Sequence, residues 1–224
     1  MNETIKCLAQ PSQIDESKFP SRAQVVAAQE LQSYGNDVLY RMCKENPLHQ
    51  ENDVIFSKVW LIGRSYAVAV ERNKDKISQE EIYQQISQPG RWTSLERQIG
   101  QLSGKTVFND INTLRQALSL HKALTDLFHA ITRQHKRSLA SKYLHFHCPE
   151  SVYIYDSEVN AEINRIIKRP PWMLPGDYDD EYKRYAMKAF LLANEVYSRY
   201  GIALTPRHLD TLLQNIHHHG NFVQ

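Results

Sequence analysis

The sequence predicts an all-α fold, and three observations carry that expectation. Gly (8) and Pro (9) are scarce among 224 residues, which argues against disorder and against a turn-rich β-sandwich. Apolar residues recur at spacings of three and four along segments of helical length. Residues that start and stop helices punctuate those segments from end to end. At about 11–12 residues per helix, roughly eight to ten helices are expected.

Taken in chain order, residues 1–20 read as a loosely ordered N-terminal segment and 21–224 as one helical domain. Ser21-x-x-Gln24, Ser78-x-x-Glu81 and Thr93-x-x-Glu96 are capping-box patterns, each predicting a helix start. Gly35 follows the periodic stretch 23–31 as its expected stop. Ile55, Val59, Ile62, Tyr66, Ala69 and Val70 form an apolar stripe that predicts a core helix over 54–71. A second core helix is expected over 111–131, with Leu114, Leu118, Leu124 and Phe128 on its buried face. Pro170, Pro171, Pro175 and Gly176 mark 168–180 as the one sizeable loop. Gly201 is the expected stop for the helix over 182–200, and Thr205-Pro206 reads as an N-cap followed by proline at the first helical position.

Several classes are disfavoured. The longest apolar runs, 59–62 and 189–193, fall far short of the roughly 18 residues a membrane span needs, and Met1-Asn2-Glu3-Thr4 opens no secretory signal. A cytoplasmic protein is therefore expected. Cys7, Cys43 and Cys148 are odd in number and widely spaced, and they read as free thiols. His145-x-His147-Cys148 and His217-His218-His219 lack a second ligand pair at suitable spacing, so no metal site is assigned. The formal charge of +2 means that any nucleic-acid role must come from where the basic residues lie.

Residues 133–167 carry the chemistry. A basic cluster (Arg133, Lys136, Arg137) leads into a helix bearing Ser141 and Lys142; Pro149 ends it, and Asp156 opens the next helix. A carboxylate at that position is held ionised by amide donors and the helix dipole. Lys142 lies 14 positions earlier, so one reversal of the chain brings ammonium and carboxylate together. Its neighbours Tyr143, Leu144, Phe146 and Ile154 favour the uncharged amine that nucleophilic attack requires. The carboxylate beside it suits an oxocarbenium-like centre.

In Ala140-Ser-Lys142 and Tyr155-Asp156-Ser-Glu-Val the chain resembles the helix-hairpin-helix DNA glycosylase superfamily, in particular its 8-oxoguanine glycosylase-like branch. The resemblance covers 133–167 by residue and about 50–220 by organisation, where Arg207-x-Leu209-Asp210-x-x-Leu213 is similar to a late helix of such domains. It implies a two-lobed helical domain that excises a damaged or modified base from DNA. Lys142 would be the nucleophile and Asp156 the assisting aspartate, with abasic-site lyase activity following and no metal or organic cofactor required. The family's hairpin carries glycines, whereas none occurs here between Gly104 and Gly176; Arg133, Lys136 and Arg137 are expected to supply charge in their place.

Arg133, Lys136, Arg137, Ser141, Lys168 and Arg169 are the candidate DNA contacts, and Tyr155 and Trp172 the candidate base-pocket residues. Duplex and single-stranded DNA both remain open, and no membrane partner is expected. Two other readings stand beside this one: an inactive glycosylase-fold module that binds nucleic acid in DNA processing or phage defence, and a helical protein-interaction domain.

Overall fold

The computed structural model describes residues 6–7, 13–30, 34–72, 77–170 and 172–219. Among them are ten α-helices: α1 (Arg22–Glu30), α2 (Tyr34–Glu45), α3 (Asn52–Ser65), α4 (Gln79–Ile86), α5 (Thr93–Leu102), α6 (Ile111–Thr132), α7 (Arg137–His147), α8 (Ser157–Ile166), α9 (Asp180–Tyr200) and α10 (Pro206–His219). Four short strands accompany them: β1 (Lys6–Cys7), β2 (Gln13–Ile14), β3 (Ile167–Arg169) and β4 (Trp172–Met173). The all-α expectation holds, and no helix among the described residues is long and apolar enough to cross a membrane. Pro171, Leu31 and the side chains of Cys7 and His219 lie outside the described residues.

Apolar side chains gather into two clusters. The first is built from α2 to α7, with Ile55, Val59, Ile82, Trp92, Leu124, Phe128 and Tyr143 at its centre. The second joins α1, α8, α9 and α10 through Val25, Val159, Ile163, Ala186, Leu192 and Leu209. Helix α6 serves both: Leu114 and Leu118 near its start face the second cluster, while Leu120, Leu124 and Phe128 face the first. The chain crosses between them at adjacent residues, Val152 belonging to the first and Tyr153 to the second. Both residues are buried, so neighbouring side chains outside any helix serve opposite cores.

Most helix boundaries follow their signals. Ser21 Oγ accepts the Gln24 amide at 3.3 Å and Gln24 Oε1 accepts the Ser21 amide at 2.9 Å, a complete capping box. Ser78 Oγ caps α4 through the Glu81 amide at 3.1 Å. Thr205 Oγ1 accepts the His208 amide at 3.2 Å, and Gly201 ends α9 in the left-handed region at φ 69°.

Three boundaries differ. Gly35 does not stop a helix: it is the second residue of α2, where its bare backbone faces open space. Thr93 does not cap α5, because Trp92 is the cap residue and forms no side-chain cap bond. Its partner in the pattern, Glu96, instead accepts the His49 amide at 2.6 Å, so tertiary demand overrides the local motif. The stripe over 54–71 is two pieces: α3 stops at Ser65, Ala67 turns through φ 53°, and Ala69 and Val70 fold back onto the helix. Gly63 permits that return, since a Cβ there would lie 3.2 Å from Ala69 Cα.

The loop 168–180 and the N-terminal segment also carry more order than expected. β2 pairs antiparallel with β3, and β1 with β4. Arg199 Nη1 donates to Glu16 at 2.6 Å, tying that segment to α9.

Candidate active site

Local sequence explains why Lys142 and Asp156 meet. Asp110 caps α6 by accepting the Asn112 amide at 2.9 Å. The helix ends at Arg133, which adopts the left-handed conformation at φ 55°, a position where glycine is usual. Residues 134–136 then turn the chain into α7. Beyond α7 the chain reverses and runs back beside it: His145 Nδ1 is 2.9 Å from Val152 O, Ser141 Oγ accepts the Tyr155 amide at 2.9 Å, and Ser138 Oγ donates to Tyr155 O at 3.1 Å. Asp156 therefore arrives opposite Lys142.

Lys142 Nζ donates to Ser138 Oγ at 2.7 Å, to Tyr155 O at 3.1 Å and to Asp156 Oδ2 at 3.1 Å. Those three acceptors match the three protons of an ammonium. The lysine side chain is 4% exposed and the aspartate 33%, so the carboxylate is the member of the pair that solvent reaches. Asp156 Oδ1 accepts the Glu158 amide at 3.0 Å, which makes Asp156 the N-cap of α8. Partial burial pushes its carboxyl up, but the Glu158 amide and the Lys142 ammonium outweigh burial and hold it below the usual carboxylate range.

A second polar group adjoins this pair. The Tyr66 ring centroid is 5.7 Å from Lys142 Nζ and 5.9 Å from Arg207 Cζ. Arg207 Nε donates to Tyr40 Oη at 3.2 Å, Nη2 to Tyr66 Oη at 3.0 Å and Nη1 to Asp210 Oδ2 at 3.1 Å. Tyr40 Oη is in turn 2.5 Å from His145 Nε2.

Two clefts are lined by neighbours of the pair, though by neither Lys142 nor Asp156 themselves. One of about 280 Å³ is lined by Arg72, His135, Lys136, Arg137, Ser138 and Tyr155 among others. The other, about 740 Å³, lies on the Tyr40, Tyr66 and Arg207 side, and Leu39 is its one aliphatic side chain. The second falls in the usual size range of small-molecule sites, though its lining is unusually polar.

The expected site residues divide into two sets. Lys142, Asp156, Ser141, Tyr155, Lys136 and Arg137 come together. Ser141 is a correction: it is fully buried and spends its hydroxyl on Ser138 O and the Tyr155 backbone, so it cannot reach a phosphate. Arg137 is neutralised by Asp179 at 2.7 Å and Glu181 at 3.1 Å, Lys136 donates to Arg72 O, and Arg133 is exposed. Tyr155 lines the smaller cleft, yet it is 7% exposed and bonds through its hydroxyl to Glu181, with its ring edge-on to Tyr185 at 5.4 Å. Lys168, Arg169 and Trp172 lie beyond the far end of α8, about 15 Å along its axis from Asp156, and Trp172 packs against Phe190.

At the site, the sequence alone assigns no role to Ser138, to Tyr66 (read as part of the apolar stripe) or to Arg207 and Asp210 (read only as part of a late helix). The spacing of Arg207 and Asp210 by three was a usable signal, because it puts both on one helix face. No family model matches the chain, no curated protein is similar to it, and no solved structure matches its fold.

Proposed function

We propose that the chain is a DNA glycosylase of the helix-hairpin-helix kind, two-lobed, with its active centre where the two apolar clusters meet. The observation that carries this is the 3.1 Å contact between Lys142 Nζ and the capping carboxylate of Asp156. A target nucleotide extruded from DNA would present its sugar carbon to this pair. Asp156, kept anionic, stabilises the positive charge that develops as the glycosidic bond breaks. The base departs with the electrons of that bond, and Nζ, once it has lost a proton, forms the new bond to the sugar carbon. Ring opening then gives a Schiff base from which strand cleavage can proceed. Among the expected DNA contacts, exposed Arg133 remains available for phosphate, Lys136 being half-buried with one donor spent on Arg72 O; Lys168 and Arg169 would serve only a long duplex.

The test is borohydride trapping on oligonucleotides carrying an abasic site or a panel of damaged bases. A covalent adduct mapping to Lys142 is expected, and a Lys142→Gln variant should lose it. One observation favours a second reading, an inactive nucleic-acid-binding module: Lys142 is 3% exposed and its donors are all satisfied. Salt-dependent DNA binding with neither adduct nor released base on any substrate would select that alternative.

A further inference from the structure

Lys142 has one side-chain partner, Ser138, that the chemistry above does not use. Ser138 stands in the first turn of α7, is half-buried and lines the smaller cleft. Lys142 Nζ donates to its hydroxyl at 2.7 Å, the shortest of the three hydrogen bonds the ammonium makes. The lysine side chain itself is 4% exposed and lines neither cleft, so a proton that leaves Nζ leaves through one of its acceptors. Tyr155 O is a backbone carbonyl and has no proton of its own to pass on. Asp156 Oδ2 belongs to the anion that faces the sugar, and a proton placed there removes that charge. Ser138 alone combines an acceptor oxygen with a proton it can give.

Taking Lys142 as the nucleophile of the function proposed above, we propose that Ser138 is the relay through which Lys142 loses its proton to water in the smaller cleft. One N–H bond of the ammonium breaks with its electron pair remaining on Nζ, and an O–H bond forms on Ser138 Oγ. In the same step the hydroxyl's own proton moves to a cleft water, so Ser138 is neutral before and after and the proton ends in solvent. The surrounding hydrogen bonds accommodate this. Ser138 Oγ donates to Tyr155 O at 3.1 Å and must turn away from it to reach water. Tyr155 is 7% exposed, where a carbonyl stripped of donors would be costly. Ser141 supplies the replacement: its hydroxyl lies 3.0 Å from Ser138 O and 3.4 Å from Tyr155 O, and can swing from the first to the second. Lys142 Nζ, 3.1 Å from the same carbonyl, keeps two hydrogens after the transfer.

The experiment compares Ser138→Thr with Ser138→Val, whose side chains have nearly the same shape and differ in the hydroxyl. Single-turnover Schiff-base formation with an abasic-site oligonucleotide, trapped by borohydride at neutral pH, should run near the wild-type rate in Ser138→Thr. In Ser138→Val it should be about 100-fold slower, the lower end of what proton-transfer groups contribute. Equal rates in the two variants overturn the relay. A second arm needs no catalysis: nitrogen NMR of hydrogen exchange between the Lys142 ammonium and water, its signal being the one that Lys142→Gln lacks. Exchange should be slower in Ser138→Val than in wild type or Ser138→Thr. A merely structural role predicts the reverse, since an ammonium that has lost an acceptor is freer to reach water, so unchanged or faster exchange overturns the relay as well. If Ser138→Val does not fold, Ser138→Ala replaces it in both arms. A wild type that forms no adduct sinks the nucleophile, and the exchange arm then decides the relay by itself.

Discussion

Lys58 at 1% exposure and Lys142 at 3% are the most deeply buried lysines among the described residues, and their partners differ. Lys58, on α3 inside the first cluster, donates to Asn46 O at 2.9 Å and Leu48 O at 3.0 Å. It has no carboxylate within ion-pair distance among the described residues, and burial lowers its ammonium to about 8. It ties down the chain that leaves α2, where backbone carbonyls need a donor. Lys142 sits at the junction of two clusters, against a carboxylate that a helix N-terminus keeps ionised. Burial alone therefore does not distinguish the two lysines; the kind of partner does.

The sharpest way to break this contrast is to remove each ammonium in turn. Lys142→Gln should lower adduct formation by about 10³-fold or more, the scale on which removal of a nucleophile is felt, with the helical circular dichroism retained. Lys58→Ala should leave adduct formation by the folded protein unchanged and should reduce unfolding free energy by about 3 kcal/mol, through two orphaned carbonyls and the space left by the stem. Urea denaturation together with the trapping assay reads both effects. If Lys58→Ala abolished the adduct while remaining folded, the distinction between the two lysines would collapse.

Acid should separate the regions next. His49 stacks on Trp92 at 4.7 Å and lies 2.7 Å from Tyr143 Oη through Nε2. Burial, and then the Lys58 charge, lower it from 6.5 to about 3. Its folded value is depressed, so the stability it contributes is complete above 6.5 and is lost as pH falls toward 3, at about 1.4 kcal/mol per pH unit. At pH 5 the loss is about 2 kcal/mol. His49→Gln should shrink the drop in unfolding free energy between pH 7 and pH 5 by that amount. Asp156 contributes nothing to that window, because it too is depressed and its stabilisation fades only below its unfolded value of 3.8. An undiminished drop in His49→Gln would mean that groups elsewhere titrate.

These contrasts also show what a sequence can carry. Periodicity and caps such as Ser78, Gly201 and Thr205 act within a few residues, so the helices they delimit were legible. The meeting of Lys142 and Asp156 was legible too, because a helix, a reversal and a second N-cap within 14 residues leave the chain few alternatives. The failures share a cause. Glu96 left its capping box to serve the His49 amide, Ser141 turned inward to hold Tyr155, and the short strands depend on pairing between 13–14 and 167–169. For Glu96 and the strands a partner tens of residues away decided the outcome, and for Ser141 one 14 residues away, across the chain reversal. The sequence shows Tyr66 and Arg207 only as a stripe residue and a late-helix residue, since their hydrogen bond forms only in the folded chain, 141 residues apart.

The finest test lies within the pair itself, because Asp156 does two jobs that one substitution can separate. As an N-cap it accepts the Glu158 amide through Oδ1, and as an anion it faces Lys142 through Oδ2. Asparagine caps helices about as well as aspartate, keeps a carbonyl oxygen for the Glu158 amide and has nearly the same shape. Asp156→Asn should keep the cap but turn its amide NH2 toward the Lys142 ammonium, whose side chain is 4% exposed, so unfolding free energy should fall by about 1–3 kcal/mol. Adduct formation should nevertheless fall by at least about tenfold, because a neutral amide cannot offset the charge developing at the sugar carbon. Equal rates in Asp156→Asn and wild type would reduce Asp156 to a cap, leaving Lys142 with a structural partner, as Lys58 has, and removing the difference on which the choice between the two lysines rests.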